Sequence, residues 1–406
     1  MKRLIILALT LTVGLSACDV LDLEPKDRVT QFDYFKTAND LELFSNPFYN
    51  NLLDKEPFDE QSDLLVQNTL SAILFGGSHR TVPESGGGWS WTDLRRMNTL
   101  LEYADMCEDK EAVTKYTAVT RFFRAFFYFE KVKRFGDVPW YEQVIGSEEE
   151  ELLKKPREDR GIIMDHVMND LKNAIEMLPR EKDVARVTRW SALALKSRIA
   201  LYEGTWRKYR NLPDADKYLQ LAADAAWAIM EQNKYSLYKG NTLKLDAPYR
   251  EYFILEDGDA KETILSMRFN ADILVRHGIQ FTFRNMRHSA TQRLVNHYLM
   301  ADGSKIQDQP GYETMTYNQQ FQNRDPRMAQ TLMAPGYVDL NGIDEVIEDC
   351  KSYDMTGYRF IKFVSDDTHN GATTSTTDWP VFRYPEILLT YAEAKAELGT
   401  LTPEDI

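Results

Sequence analysis

Between about residues 30 and 231 the apolar positions recur with helical spacing. The segment Glu111 to Phe135 sets Phe122, Phe126 and Phe129 on one stripe, with Phe123 and Phe127 beside it, and Gly136 followed by Pro139 is a stop signal. This pattern predicts a buried helix. From about Asp159, the positions Ile163, Val167, Leu171, Ala174, Ile175 and Leu178 form one continuous apolar face that Pro179 breaks. Thr188 is placed to cap a third helix, Arg189 to Glu203, which ends at Gly204. Asp214 is placed to cap a fourth, whose stripe is Tyr218, Leu221, Ala222, Ala225, Ala226 and Ile229.

Across the third and fourth helices large residues such as Trp190, Leu195 and Tyr202 alternate with alanine. That texture suits the helix pairs of tetratricopeptide repeats, where small side chains allow close approach, although the loop between the two is longer than in a standard repeat. Near the end of the chain, Tyr391-Ala-Glu-Ala-Lys-Ala-Glu-Leu-Gly399 again resembles the first helix of such a repeat. Between Asn233 and Trp379 the pattern changes to short apolar pieces broken by Asp257-Gly258, Asp302-Gly303, Asn341-Gly342 and the polar stretch Ser365 to Asp378. The expected fold is therefore mostly all-α. A helical scaffold covers about 30–231 and 381–398, and a loop-rich region covers about 232–380, the kind of place where binding function tends to sit.

The first residues alter this picture. Lys2 and Arg3 precede an apolar run, Leu4 to Val13, and Leu15-Ser16-Ala17-Cys18 closes it in the pattern of a bacterial lipobox. Residues 1–17 are thus expected to be a removed signal peptide, with Cys18 as the lipidation site and residues 18–25 as a tether. Leu4 to Ala17 spans 14 residues, short of the roughly 20 that a spanning helix requires, and no later segment is apolar enough to span. Without Lys2 and Arg3 the chain keeps 47 basic against 63 acidic residues, a charge of −16, which argues against a nucleic-acid partner. Beyond Cys18 stand Cys107 and Cys350, which can pair in an oxidising compartment or stay buried and inert.

No catalytic constellation emerges. The histidines (His79, His166, His277, His288, His297, His369) lack metal-ligand spacing, there is no Gly-x-Ser-x-Gly elbow, and Gly86-Gly87-Gly88 lacks the Lys-Ser/Thr of a phosphate loop. Neither an enzyme nor a cofactor or metal is expected. Two stretches suit ligand binding. After the glycines, Trp89 and Trp91 flank a serine; if the chain is extended there, both rings fall on one side, with Asp93, His79 and Arg80 available for hydroxyl groups. The alternative is that both rings anchor the start of the helix containing Leu94, Leu100 and Leu101. The second stretch runs from Arg276 and His277 through Phe281, Phe283 and Arg284 to Arg287 and His288, alternating aromatic and basic residues in a turn-rich region. Its alternative is an ordinary strand with a solvated face.

Several segments together resemble the SusD/RagB family of Bacteroidetes outer-membrane nutrient-binding lipoproteins. They are the lipobox with its acidic tether; Arg121-Phe-Phe-Arg-Ala-Phe-Phe-Tyr-Phe running to Arg134-Phe-Gly-Asp-Val-Pro-Trp140; Lys155-Pro-Arg157; and Val187-Thr-Arg-Trp-Ser-Ala-Leu-Ala-Leu-Lys-Ser-Arg-Ile-Ala-Leu-Tyr202. Further along stand Val295-Asn-His-Tyr-Leu-Met-Ala-Asp-Gly303, Arg324-Asp-Pro-Arg327 and Phe382-Arg-Tyr-Pro-Glu-Ile-Leu-Leu-Thr-Tyr-Ala-Glu-Ala394. The resemblance implies a tetratricopeptide-like scaffold whose loop-rich face binds oligosaccharides or other nutrients. It also implies a lipid-anchored position on the outer-membrane surface and a TonB-dependent, SusC-like transporter as partner. It directs attention to Trp89 and Trp91, and to loops comparable to 276–288, as sources of stacking rings, and leaves Trp190 and Tyr202 as scaffold. Family members continue beyond the Tyr-Ala-Glu-Ala helix, so a chain stopping at Ile406 reads as a fragment or truncated product. Two competing readings are a transporter-assembly subunit without glycan affinity and a glycoside hydrolase.

Overall fold

The computed structural model describes residues 34–53, 62–67, 74, 81–240, 242–285, 288–342, 355–366 and 369–406. The lipobox with Cys18, the tether, His79, Arg80, Arg287 and Cys350 lie outside the described residues; Cys107 is buried. Among the described residues, six helices of 12 residues or more make the first part of the scaffold: α1 (Ala38–Leu52), α2 (Thr92–Tyr103), α3 (Lys110–Phe135), α4 (Arg160–Met177), α5 (Arg189–Lys208) and α6 (Ala215–Met230). α3 begins where the Asp109 carboxylate accepts the amides of Glu111 and Ala112, each at 3.0 Å, and ends at Gly136, whose φ of +71° an L side chain rarely adopts. All five of its expected phenylalanines are buried. Each such burial contributes about 1.5–3 kcal/mol relative to exposure, which makes α3 the axis that α1, α2 and α4 pack against.

Polar groups inside this core are paired. Asp170 of α4 receives Nε of Arg124 at 2.7 Å and its Nη2 at 2.8 Å, and Nη1 of Arg121 at 2.9 Å, while Arg124 also donates to Asn98 of α2 at 3.2 Å. A fork-on-carboxylate pair of this kind fixes the relative register of α2, α3 and α4. Glu203 of α5 likewise holds Arg160 and Arg207 at 2.7 Å each.

Two expectations about helix ends are corrected. α5 does not stop at Gly204 but continues to Lys208. A Cβ at Gly204 would lie 2.8 Å from Cγ of Leu219 and 2.9 Å from its backbone nitrogen, so the glycine serves close approach to α6 rather than termination. Asp214 does occupy the position before α6, but in a left-handed conformation (φ +64°) with no capping hydrogen bond from its carboxylate. α5 does start after Thr188, where the Ser191 hydroxyl accepts the Thr188 amide at 2.8 Å, but the Thr188 hydroxyl itself makes no capping hydrogen bond.

The last helix, α8 (Tyr384–Glu397), packs on α6 and α5 through Ala200, Ala222, Ala223 and Ala394, and Arg198 of α5 holds Glu386 at 2.7 Å. This stack of α5, α6 and α8 is the tetratricopeptide-like part. The intervening region carries two short antiparallel sheets: β1 (Leu65–Val66) with β3 (Ser289–Ala290), and β2 (Thr263–Met267) with β4 (Trp379–Arg383). A short helix, α7 (Ile279–Asn285), lies between β2 and β3 in the chain. Among the described residues no helix is long and apolar enough to cross a membrane.

Candidate functional site

A cleft of about 620 Å³ opens where the last turn of α1, the loop before α5 and the segment following β2 meet. β2 is tied to that loop by the Ser266 amide, which donates to the Val184 carbonyl at 2.7 Å, so Ala185 and Arg186 face the strand's exit. Beyond Met267 the chain makes a tight hairpin. Asn270 and Val275 exchange backbone hydrogen bonds at 2.9 and 3.1 Å, and the Asn270 side chain accepts the Asp272 amide at 2.7 Å. Ile273, Leu274 and Val275 stand exposed at its tip. His277 then bridges to Ser375, and Gly278 lets the chain pass so close to Ala372 that a Cβ would lie 2.2 Å from that carbonyl oxygen.

The floor of the cleft is apolar, formed by Leu53, Met267, Ile279 and Trp379, the last stacked on Phe363 with centroids 4.6 Å apart. Its walls carry Tyr49, Phe269, His277 and three arginines, Arg186, Arg268 and Arg276. The His277 ring lies edge-on to Phe269 at 4.4 Å, its Nε2 donates to the Thr377 carbonyl at 2.9 Å and its Nδ1 accepts the Ile279 amide at 3.2 Å. Burial pushes its pKa below the ordinary histidine value, so the ring is neutral at pH 7. The Tyr49 hydroxyl accepts the Val187 amide at 3.0 Å, and burial pushes its pKa up to about 12. Arg268 joins the carboxylates of Asp257 and Asp378, the latter at 3.0 Å. Among the described residues no three His, Cys, Asp or Glu side chains gather as metal ligands would.

Of the residues singled out in the sequence, Arg276 and His277 line this cleft. Phe281 and Phe283 do not form the alternating face expected of a strand, because the segment is the helix α7, in which positions two apart point to different sides. Phe283 is buried against Phe360, and Phe281 is half-buried. Trp89 and Trp91 do lie together, edge to face at 5.1 Å. Trp91 is an anchor for the start of α2, meeting Phe127, Tyr128 and Tyr141 at 5.7–6.2 Å. Trp89, 37% exposed, sits edge-on to Phe135 while the Arg157 guanidinium lies over its ring at 4.8 Å. Asp93 accepts from Asn51 at 3.1 Å, next to Asn50 of the cleft, so the tryptophan loop adjoins the far side of the same α1 turn without lining the cleft. Tyr49, Arg186, Arg268, Phe269 and Trp379 were not singled out; only the adjacent basic-aromatic pair Arg268-Phe269, just past a strand, offered a local signal.

Comparison with known proteins agrees with this architecture. A family model described as "SusD family" matches residues 284–404, and one described as "Starch-binding associating with outer membrane" matches residues 90–201. The chain belongs to the SusD/RagB family. It is 23% identical over 282 residues to SusD-like protein P25 of Formosa agariphila, a match that covers 63% of this chain and about half, 49%, of that relative's length. Among solved structures it is similar to a SusD-like carbohydrate-binding protein of Bacteroides fragilis, with a TM-score of 0.72, 20% identity, and coverage of 91% of this chain and 76% of that one. A SusD superfamily protein of Parabacteroides distasonis follows the same course with a TM-score of 0.64, 20% identity, and coverage of 91% and 78%. A relative crystallised with a xylogluco-oligosaccharide gives a TM-score of 0.59 at 18% identity, over 87% of this chain and 70% of that one.

Proposed function

We propose that this chain is an oligosaccharide-capturing lipoprotein of the outer-membrane surface, anchored through Cys18, that passes its ligand to a TonB-dependent, SusC-like transporter. The observation that carries the reading is the cleft: an apolar floor with polar and aromatic walls, on the side of a SusD-family scaffold where the chain is richest in turns. Sugars offer an apolar C–H face and a hydroxyl rim, and such walls meet both without covalent chemistry. Arg276 and His277 belong to the binding wall, with Phe269 as the nearest ring. Trp89 keeps a supporting role at the adjoining loop.

A lipid anchor raises the local concentration of a binder near its transporter without requiring a tight interface between them. The test is isothermal titration of the full chain and its Cys18→Ala form against a glycan panel. We expect equal, saturable binding in both, no release of reducing ends, and membrane partitioning only with Cys18. Absence of binding across the panel contradicts capture, and released reducing ends favour hydrolysis.

A further inference from the structure

The chain carries 63 acidic against 49 basic residues, yet among the described residues that line the cleft none is an aspartate or glutamate and three are arginines. Their charges are unequally compensated. Arg268 is held by Asp257 and Asp378. Arg186 donates to Asn46 at 2.6 Å and lies 3.5 Å from Glu42, both partners about half exposed, a pair that water and salt screen strongly. Arg276 has only the Ala271 carbonyl, at 3.0 Å, and among the described residues no carboxylate within ion-pair distance. His277, the remaining titratable wall group beside Tyr49, adds no negative charge. Asp183, outside the lining, accepts the Ala185 and Arg186 amides at 2.8 and 3.1 Å, so the uncompensated positive charge of the wall is that of Arg276, and a concave site with low-dielectric walls focuses such a charge on an incoming ligand.

Building on the capture reading, we infer that the ligand is an acidic oligosaccharide, whose carboxylate or sulfate group is taken by Arg276 and Arg186 while its ring rests on the floor beside Phe269. Planar guanidinium groups match both anions in a two-pronged geometry that neutral hydroxyls do not fill.

The test titrates the full chain with three oligosaccharides of matched length: neutral, uronic-acid and sulfated. We expect at least one acidic sugar to bind roughly tenfold or more tighter than the neutral one. Its affinity should fall as salt rises from about 0.05 to 0.5 M. Arg276→Gln should lose about tenfold for the acidic sugar, and Arg276→Lys less, because it keeps the charge. Arg276 is exposed, so circular dichroism should show both variants folded. Whichever acidic arm binds identifies the anion. Neutral sugar binding as tightly as the acidic ones, or acidic binding indifferent to salt and to Arg276→Gln, overturns the inference and leaves glycan capture standing. Binding of none of the three overturns both.

Discussion

Asp378, behind the lining of the cleft, shows how much one side chain contributes to holding the wall in place. Its carboxylate is buried, accepts the amides of Gly258 at 2.9 Å and Phe269 at 3.3 Å, and fixes Arg268 at 3.0 Å. Burial outweighs these partners and raises its pKa from 3.8 to about 6. Since the folded state then holds the proton more tightly than the unfolded chain, the stabilisation linked to this group is complete below about pH 4 and is lost as pH rises through about 6. We expect the difference in melting temperature between the native chain and Asp378→Asn to shift in favour of the native chain as pH falls from 7 to 4. A difference independent of pH contradicts that assignment. None of this is legible in the sequence, where Asp378 closes a polar stretch that reads as loop and nothing marks its burial. The Arg124–Asp170 pair is equally hidden: Arg124 interrupts an otherwise apolar face, and its partner lies on another helix.

Helices were legible where burial is periodic. The approximate spans of α3 and α4 follow from apolar spacing, whereas the caps at Asp109 and Asp159, both of which accept backbone amides, were not singled out. Single residues with two possible roles misled. Gly204 has the local signature of a helix stop, but only the approach of α6 reveals its use as a spacer. Gly204→Ala is therefore expected to lower unfolding free energy by about 1–3 kcal/mol in urea denaturation, because the new methyl meets the Leu219 backbone as well as its side chain. A neutral or stabilising result, as an alanine in an uncrowded helix would give, contradicts the spacer role. For α7, alternation of aromatic and basic residues suggested a ligand-binding stretch, with a strand as the alternative, but seven residues of ambiguous period are decided by tertiary context, here the burial of Phe283 against Phe360.

At the scale of the molecule, the tetratricopeptide-like stack was legible because α5, α6 and α8 carry their alanines at regular spacing. The cleft was only partly so, since it is assembled from α1, the loop at 185–186, the exit of β2 and Trp379, and no linear pattern brings these together. The tryptophan pair was conspicuous in sequence, yet Arg157 and Phe135 occupy Trp89, and Trp91 serves the core. Capture of a sugar in the cleft, rather than at the tryptophan loop, is therefore the central claim. Backbone hydrogen exchange of the full chain, with and without a saturating oligosaccharide, tests it most directly. The account predicts slowed exchange concentrated at 46–53 and 266–279; slowing confined to 86–93, with the cleft segments unchanged, would contradict it.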